Sequence, residues 1–153
     1  MDDQGAAHHT WMLAAIGEAV AAGHRGEIPV GAVLVRDGEL LARAGNSSIQ
    51  LSDPTAHAEV LALRAAGSAV ANYRLSGTTL YATVEPCPMC VGAALHARVS
   101  RIVFGCADPK SGAAGSVVDL ANHARLNHRI TVTGGILEED CRRLLREFFA
   151  ARR

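Results

Sequence analysis

Residues 78–106, TTLYATVEPCPMCVGAALHARVSRIVFGC, decide the fold of this chain. Thr78 to Val84 is rich in β-branched residues, which favours a strand, and Arg101 to Cys106 forms a second apolar strand. Between them, Pro88 suits a first helical position, and we expect a helix from Met89 to Ala97. A strand, a helix and a strand within about thirty residues form a βαβ unit, so the two strands run parallel with a right-handed crossover.

Two further strands and a helix are predicted before this unit. An apolar run from Val30 to Val35 turns at Asp37-Gly38 into Leu40 to Ala44, which is the pattern of an antiparallel hairpin with a primed turn. Apolar residues recur at helical spacing from about residue 10 to residue 23, with Thr10 as the expected N-cap. The sheet is therefore mixed, because the hairpin is antiparallel and the βαβ unit is parallel.

The segment between the hairpin and the βαβ unit predicts a helix, and the segment after the unit predicts a long connection. Asp53-Pro54-Thr55 supplies a turn and a cap before Ala56 to Ala66, whose Ala, Leu and Glu content favours a helix. Residues 107 to 128 are longer than the usual connection in a compact domain, and we expect one helical turn within them, from Val117 to Leu120. Long connections of this kind tend to be functional.

The last elements complete the expected architecture. Ile130 to Thr133 is a short fifth strand, and the chain closes with an apolar helical stripe made by Leu137, Cys141, Leu144, Leu145 and Phe148. Helices before, between and after the strands cover both faces of the sheet. We therefore expect an α/β fold, a three-layer α/β/α sandwich around a mixed five-stranded sheet, as a single domain over residues 1–153.

Length and composition restrict the class of protein. The chain has 153 residues and is 49% hydrophobic, which suffices for one ordinary core. It contains no apolar run near the roughly 18 residues of a membrane span, and its first ten residues do not resemble a secretory signal. We expect a cytoplasmic protein with no membrane partner. The formal net charge of zero gives no support of its own to a nucleic-acid partner.

Three candidate metal ligands lie in two short motifs, His57-Ala58-Glu59 and Pro86-Cys87-Pro88-Met89-Cys90. A catalytic zinc usually takes three protein ligands and keeps one position for water, whereas a structural zinc takes four. Cys87 and Cys90 are three residues apart at a helix start, so both sulfurs can face one point, and the helix N-terminus favours the thiolate. We place His57 in the first turn of its own helix, and we interpret Cys106 as a core thiol.

Glu59 is the candidate for proton transfer beside such a metal. Zinc can lower the pKa of water to about 7, which provides hydroxide for attack on an electrophilic ring carbon. Hydrolysis of an amidine also requires protonation of the adjacent ring nitrogen and of the departing amine. One carboxylate can serve both steps, and such help is worth roughly 10² to 10⁴ in rate. If the metal lies over the helix tip, His57 and Glu59 can reach it from opposite sides.

The combination of H-x-E with P-C-x-x-C is the signature of zinc-dependent base deaminases. Beyond that signature, the chain from about Trp11 to Arg153 resembles the bacterial tRNA-specific adenosine deaminases, of the cytidine deaminase-like superfamily, which convert wobble adenosine to inosine. The stretches that carry the resemblance are PVGAVLV (29–35), DPTAHAE (53–59), NYRL (72–75), KSGAAGS (110–116) and NHR (127–129).

The resemblance implies a role for each candidate residue. By it, His57, Cys87 and Cys90 hold one Zn²⁺ per subunit, and Glu59 shuttles protons. It also implies that Asn46 contacts the flipped nucleotide and that Asp108 lies where these enzymes meet the anticodon loop. The expected activity is hydrolytic deamination of wobble adenosine in tRNA by a homodimer, with water as co-substrate and ammonia as product.

Other interpretations remain open at this point. Asn46 is as consistent with a strand-ending turn as with a ligand contact, and Asp108 before Pro109 can simply start a turn. Residues 47–51 lack the basic side chain expected against an RNA backbone. The same zinc motifs would serve a deaminase of a free nucleobase or nucleoside, such as guanine or cytosine. A catalytically silent, zinc-stabilised RNA-binding partner is the third possibility, although it would not need Glu59.

Overall fold

The computed structural model describes residues 3–152, which form five helices and five strands. Residues 1, 2 and 153 of the single domain expected over the whole chain lie outside this range. The elements in chain order are α1 (Asp3–His24), β1 (Gly31–Arg36), β2 (Glu39–Gly45), α2 (Ser48–Leu51), α3 (Ala58–Val70), β3 (Thr79–Val84), α4 (Pro88–His96), β4 (Arg101–Cys106), β5 (Thr131–Thr133) and α5 (Glu138–Ala150).

The strands form one mixed sheet in the order β2-β1-β3-β4-β5. Strand β1 is antiparallel to both of its neighbours, whereas β3, β4 and β5 run parallel. The β1–β2 turn has positive φ at both Asp37 (53°) and Gly38 (74°), which is the primed turn that the sequence predicts. The mixed five-stranded sheet and the parallel βαβ unit are thus confirmed.

Helices cover both faces of this sheet, as expected for a three-layer α/β/α sandwich. Residues alternate between the two faces along β3: Leu80 packs in the core beneath α3 and α4, and Tyr81 packs beneath α1 and α5. Of the predicted α5 stripe, Cys141 is buried in this second core and Leu137 and Leu145 pack against it, while Leu144 and Phe148 are partly buried. No helix within residues 3–152 has the length and apolarity that a membrane crossing requires.

Helix α1 is longer than the sequence pattern indicates. It already begins at Asp3, so the expectation that Thr10 is its N-cap is wrong; the Thr10 hydroxyl instead donates a hydrogen bond to the Ala6 carbonyl within the helix. The early turns are retained because His8 is buried and its Nδ1 lies 2.8 Å from the Tyr81 hydroxyl. That contact joins residues distant in sequence, and helical periodicity cannot detect it.

Two local expectations after β2 also differ from the structure. Helix α3 starts at Ala58, two residues later than expected, because Asp53 Oδ1 accepts hydrogen bonds from the Thr55 backbone and hydroxyl and closes a separate turn. The helical turn expected from Val117 to Leu120 is absent; Ala114 and Asp119 form an isolated antiparallel bridge there. The short helix α2 was not predicted.

The functional edge of the sheet follows from its topology. Strand β2 is parallel to β3 and β4, since both β2 and β3 are antiparallel to β1. The carboxyl ends of β2, β3 and β4 therefore lie at one edge, where ligands gather in open α/β sheets. Asn46 directly follows β2, the Pro86–Cys90 motif follows β3, and Asp108 follows β4.

Candidate metal centre and active site

Three ligand atoms converge at this edge with the spacing that zinc requires. The sulfurs of Cys87 and Cys90 are 3.7 Å apart, and Nδ1 of His57 lies 3.6 Å from the former and 3.5 Å from the latter. Zn–S bonds of about 2.3 Å and Zn–N bonds of about 2.0–2.1 Å, at tetrahedral angles, separate two sulfurs by about 3.8 Å and a sulfur from a nitrogen by about 3.6 Å. The donor set therefore fits a tetrahedral zinc.

Helix starts determine this convergence. His57 (φ −72°, ψ 149°) and Cys87 (φ −77°, ψ 174°) are the N-cap residues of α3 and α4, and Cys90 lies in the first turn of α4. Pro88 occupies the first helical position, as predicted. The expectation that His57 lies within the first turn of its helix is wrong, because its backbone is extended. Both helix N-termini thus point their positive ends toward the cluster.

The two thiols of the cluster have opposite pKa shifts. Contact with the Cys90 thiol lowers the pKa of Cys87 to about 5, with help from the backbone N–H groups of Cys90 and Met89. The same contact, together with burial, raises the pKa of Cys90. The contact thus favours a thiolate on Cys87 and a proton on Cys90. A thiolate is the form that binds a cation, and zinc binding displaces the remaining proton.

Among residues 3–152, no fourth protein ligand joins the cluster. Cys106 is 2% exposed, and its sulfur contacts the Thr83 carbonyl oxygen at 3.7 Å. Together with Cys141 it lies in the core between the sheet and helices α1 and α5, so the interpretation of Cys106 as a core thiol is confirmed. Within residues 3–152, only His57, Cys87 and Cys90 form a group of this kind. Three protein ligands are the number typical of a catalytic zinc, which keeps a position for water.

Glu59 lies beside these ligands in the first turn of α3. Its side chain is 4% exposed, and it interacts with His57, Cys87 and Cys90. Burial raises the pKa of its carboxyl. Among the described residues, its Oε1 is the one buried side-chain oxygen or nitrogen without a hydrogen-bond partner. An unpaired buried oxygen costs free energy, so this atom is available to a ligand that enters the site.

Asn46 is held against the same helix start. Its side-chain Oδ1 accepts a hydrogen bond of 2.8 Å from the Ala58 backbone N–H, and its own backbone N–H donates to the Val30 carbonyl. Asn46 therefore follows β2 directly and also caps α3 from outside the helix. The Oδ1 contact orients the amide, so its NH₂ group is left as a donor next to the residues that flank Ala58.

Asp108 is placed at the same edge but is occupied locally. Its Oδ1 accepts hydrogen bonds from the backbone N–H groups of Lys110 (3.0 Å) and Ser111 (3.2 Å), and its Oδ2 accepts one from the Ser111 hydroxyl. The carboxylate thus starts the turn after β4, which is the simpler of the two interpretations considered from the sequence. Among the described residues, Asp108 makes no hydrogen bond to the candidate zinc ligands His57, Cys87 and Cys90.

Two buried carboxylates near the site were missed by sequence reasoning. Glu85 is 3% exposed and follows β3, and Glu27 is 2% exposed before β1. Glu27 accepts hydrogen bonds from the backbone N–H groups of Ile49 and Gln50, which fixes the segment after Asn46. An acidic residue at the end of an apolar strand was the available signal for Glu85, but its partners lie far along the chain.

Comparisons with known proteins agree with this geometry. The model of the cytidine and deoxycytidylate deaminase zinc-binding region matches residues 6–106. The tRNA-specific adenosine deaminase of Haemophilus influenzae is 51% identical over 129 residues, covering 84% of this chain and 75% of that protein. The enzyme of the same name from Bacillus subtilis is 47% identical over 139 residues, covering 91% of this chain and 86% of its own.

A solved structure is also similar. It comes from a study of A-to-I editing by tRNA:A34 deaminases at the wobble position of transfer RNA, and it superposes with a TM-score of 0.86 at 43% identity. The match covers 89% of this chain and 99% of that one. The likeness therefore extends over nearly the whole fold.

Proposed function

The chain belongs to the tRNA-specific adenosine deaminases of the cytidine and deoxycytidylate deaminase zinc-binding family, and we propose that it hydrolyses wobble adenosine in transfer RNA to inosine. The observation that carries this proposal is the buried Glu59 carboxylate, with one unpartnered oxygen, beside three zinc ligands. A structural zinc site has no use for such a group. The silent RNA-binding partner considered from the sequence is therefore disfavoured.

Glu59 performs the proton transfers in this proposal. Zinc, when held by His57, Cys87 and Cys90, supplies Lewis-acid activation of water at neutral pH. The Glu59 carboxylate takes the proton released by that water and delivers it to N1 of the adenine ring. The carboxylate then takes the proton of the hydroxyl group now bonded to C6 and transfers it to the 6-amino group. The C6–N bond breaks, ammonia leaves, and C6 keeps the oxygen as the carbonyl of inosine. Burial of Glu59 keeps bulk water away from these transfers.

Asn46 orients the base in the proposed complex. Its Oδ1 is fixed by the Ala58 N–H, so its NH₂ group can donate to an acceptor on the nucleotide. A base must leave its stack to reach a metal at the sheet edge, and an unstacked anticodon loop makes this extrusion easier. Recognition of a loop also agrees with a chain whose formal net charge is zero, since it does not depend on a broad basic face.

The segment that begins at Asp108 forms the other wall of the cleft in this proposal. It carries Lys110, the only lysine of the chain, in an exposed position. Asp108 contributes by shaping the turn that presents Lys110, because its carboxylate already accepts hydrogen bonds from the backbone of Lys110 and Ser111. The positive charge is then available to an anticodon phosphate.

A second copy of the chain completes the proposed enzyme. The outer faces of α3 and α4 enclose a groove of about 710 Å³ whose lining includes Tyr73, with 73% of its surface exposed, and His96. Gly92 also lies on α4, four residues before His96, and apart from its chain neighbours and the α4 backbone no atom lies within 4 Å of the position that a Cβ would occupy there. A helix glycine costs up to about 1 kcal/mol, and within the described part of the chain no close contact requires a glycine at this position. Close approach of another helix explains it.

We place the enzyme in the cytoplasm as a single catalytic domain, because bacterial transfer RNA is processed there. The decisive test is inosine formation in an arginine tRNA with an ACG anticodon, using protein shown to contain one zinc per chain. We expect stoichiometric conversion of the wobble adenosine. Absence of inosine from zinc-loaded protein, together with ammonia release from guanine or cytosine, would establish the free-base deaminase instead.

A further inference from the structure

The buried carboxylate of Glu85 holds a long segment that has little regular structure. Oε1 accepts hydrogen bonds from the Asp108 backbone N–H (3.1 Å) and the Ser116 hydroxyl. Oε2 accepts hydrogen bonds from the backbone N–H groups of Ala114 and Ser116, both at 3.0 Å. Four donors spread over residues 108–116 therefore converge on one side chain. Hydrogen bonds to an ionised acceptor are roughly twice as strong as neutral ones.

The chain lies directly against this carboxylate. A Cβ on Gly112 would overlap the carboxylate of Glu85, so only glycine permits the close approach. The next residue, Ala113, donates its backbone N–H to the Pro86 carbonyl at 2.8 Å. Residues 85 and 86 immediately precede Cys87, so the 108–116 segment is joined to the strand end that carries a metal ligand.

We propose that Glu85 is a positioning residue that sets the conformation of the 108–116 segment and thereby the affinity of the enzyme for its RNA substrate. Glu85 is 3% exposed and satisfied by the protein, so it does not itself touch substrate. The inference rests on the proposed function, in which this segment forms one wall of the RNA cleft. The segment after Asn46 is held by a different buried carboxylate, Glu27, which accepts hydrogen bonds from the backbone N–H groups of Ile49 and Gln50. The effect of Glu85 is therefore confined to residues 108–116.

The test is Glu85→Gln, which keeps the size of the side chain. Whichever way the amide is turned, two of the four donors face an NH₂ group that cannot accept from them. We expect amide hydrogen exchange to accelerate within residues 108–116 and not in α5, with zinc content unchanged. For an anticodon stem-loop RNA, we expect KM to rise about tenfold, the order of one lost charged hydrogen bond, while kcat changes by less than about threefold.

Two further variants guard against a trivial loss of folding. Ser116 is exposed and makes two of the four hydrogen bonds to Glu85, and Ser116→Ala removes only the one donated by its hydroxyl. We expect a smaller KM increase that is less than additive with the effect of Glu85→Gln. Glu27→Gln is the matched control: exchange should accelerate at Ile49 and Gln50 and stay unchanged over 108–116.

Distinct results overturn the two proposals. Positioning by Glu85 is overturned if exchange over 108–116 matches the wild type, or if exchange rises uniformly along the chain. The link to substrate affinity is overturned if the segment loosens while KM stays constant, or if kcat alone falls. The proposed function fails separately, when wild-type protein gives no inosine, whatever the exchange measurements on Glu85→Gln report.

Discussion

At the scale of single residues, the backbone of His57 resolves a difficulty in the H-x-E motif. Residues two apart on a helix point in different directions, yet His57 and Glu59 act at the same point. His57 is not helical: its ψ of 149° directs its ring over the tip of α3, while Glu59 lies inside the first turn. In the H-x-E motif, His57 is thus the N-cap and Glu59 is a helical residue. The chemistry of the two side chains alone does not predict this difference in backbone conformation.

The first prediction concerns the division of labour between these residues. Glu59→Ala should retain one zinc per chain, because none of the three ligand atoms is removed, and should lose about 10²- to 10⁴-fold in kcat as the proton shuttle disappears. Metal analysis and single-turnover inosine assays measure the two effects. His57→Ala is the control and should lose zinc as well as activity. Loss of zinc from Glu59→Ala would identify Glu59 as a ligand.

Asn46 allows structural and substrate roles to be separated by a pair of substitutions. Asn46→Asp keeps the oxygen that accepts from the Ala58 N–H, whereas Asn46→Ala removes it, so only the alanine variant should lose about 1 kcal/mol of unfolding free energy. Neither variant retains an amide donor, so we expect both to lose activity to a similar extent. Urea unfolding and steady-state kinetics test this. An Asn46→Asp variant with wild-type kcat/KM would exclude the proposed contact with the nucleotide.

At the scale of elements, sequence patterns correctly predicted the strands and turns that are determined by interactions between neighbouring residues. Strand β4, from Arg101 to Cys106, has the predicted limits, and the turn at Asp37-Gly38 has the predicted type, because β-branched residues and a glycine at positive φ act within a few residues. The 108–116 segment was beyond such reasoning. Its hydrogen bonds end on Glu85, more than twenty residues earlier in the chain, and no periodicity marks that pairing.

The packing of α1 on β1 gives a prediction at this scale. A Cβ on Gly31 would overlap the Ala15 backbone carbonyl, so helix and strand are in direct backbone contact there. Gly31→Ala should force them apart and destabilise the protein by about 1–3 kcal/mol. Gly17→Ala is the control on the exposed face of α1, where a Cβ meets no atom within 4 Å, and it should stabilise by up to about 1 kcal/mol.

Denaturant unfolding of the two variants distinguishes steric contact from helix propensity. Both substitutions add the same methyl group, so a difference in sign can only come from the surroundings of each glycine. Equal unfolding free energies for Gly31→Ala and the wild type would show that α1 can move away from β1 without cost.

At the scale of the whole molecule, the fold turns two helix starts toward one point and their outer faces toward solvent. The N-termini of α3 and α4 hold the metal cluster, while the lateral faces of the same helices enclose the groove that contains Tyr73 and His96. A partner seated in that groove contacts the elements that carry the ligands. In the proposed dimer, the interface and the site thus share helices α3 and α4.

Gly92→Leu tests that interface. Apart from its chain neighbours and the α4 backbone, no atom lies within 4 Å of a Cβ at Gly92, so we expect the substitution not to destabilise an isolated subunit, and the better helix propensity of leucine favours the fold. In a dimer packed through α4, the added isobutyl group must separate the two copies. We expect sedimentation velocity to show a dimer for the wild type and a mostly monomeric species for Gly92→Leu. Gly17→Leu, on the exposed face of α1, is the matched control and should remain dimeric. A monomeric wild type at micromolar concentration, or a Gly92→Leu variant that dimerises as tightly as the control, would contradict the proposed interface, because neither is compatible with close helix packing at this glycine.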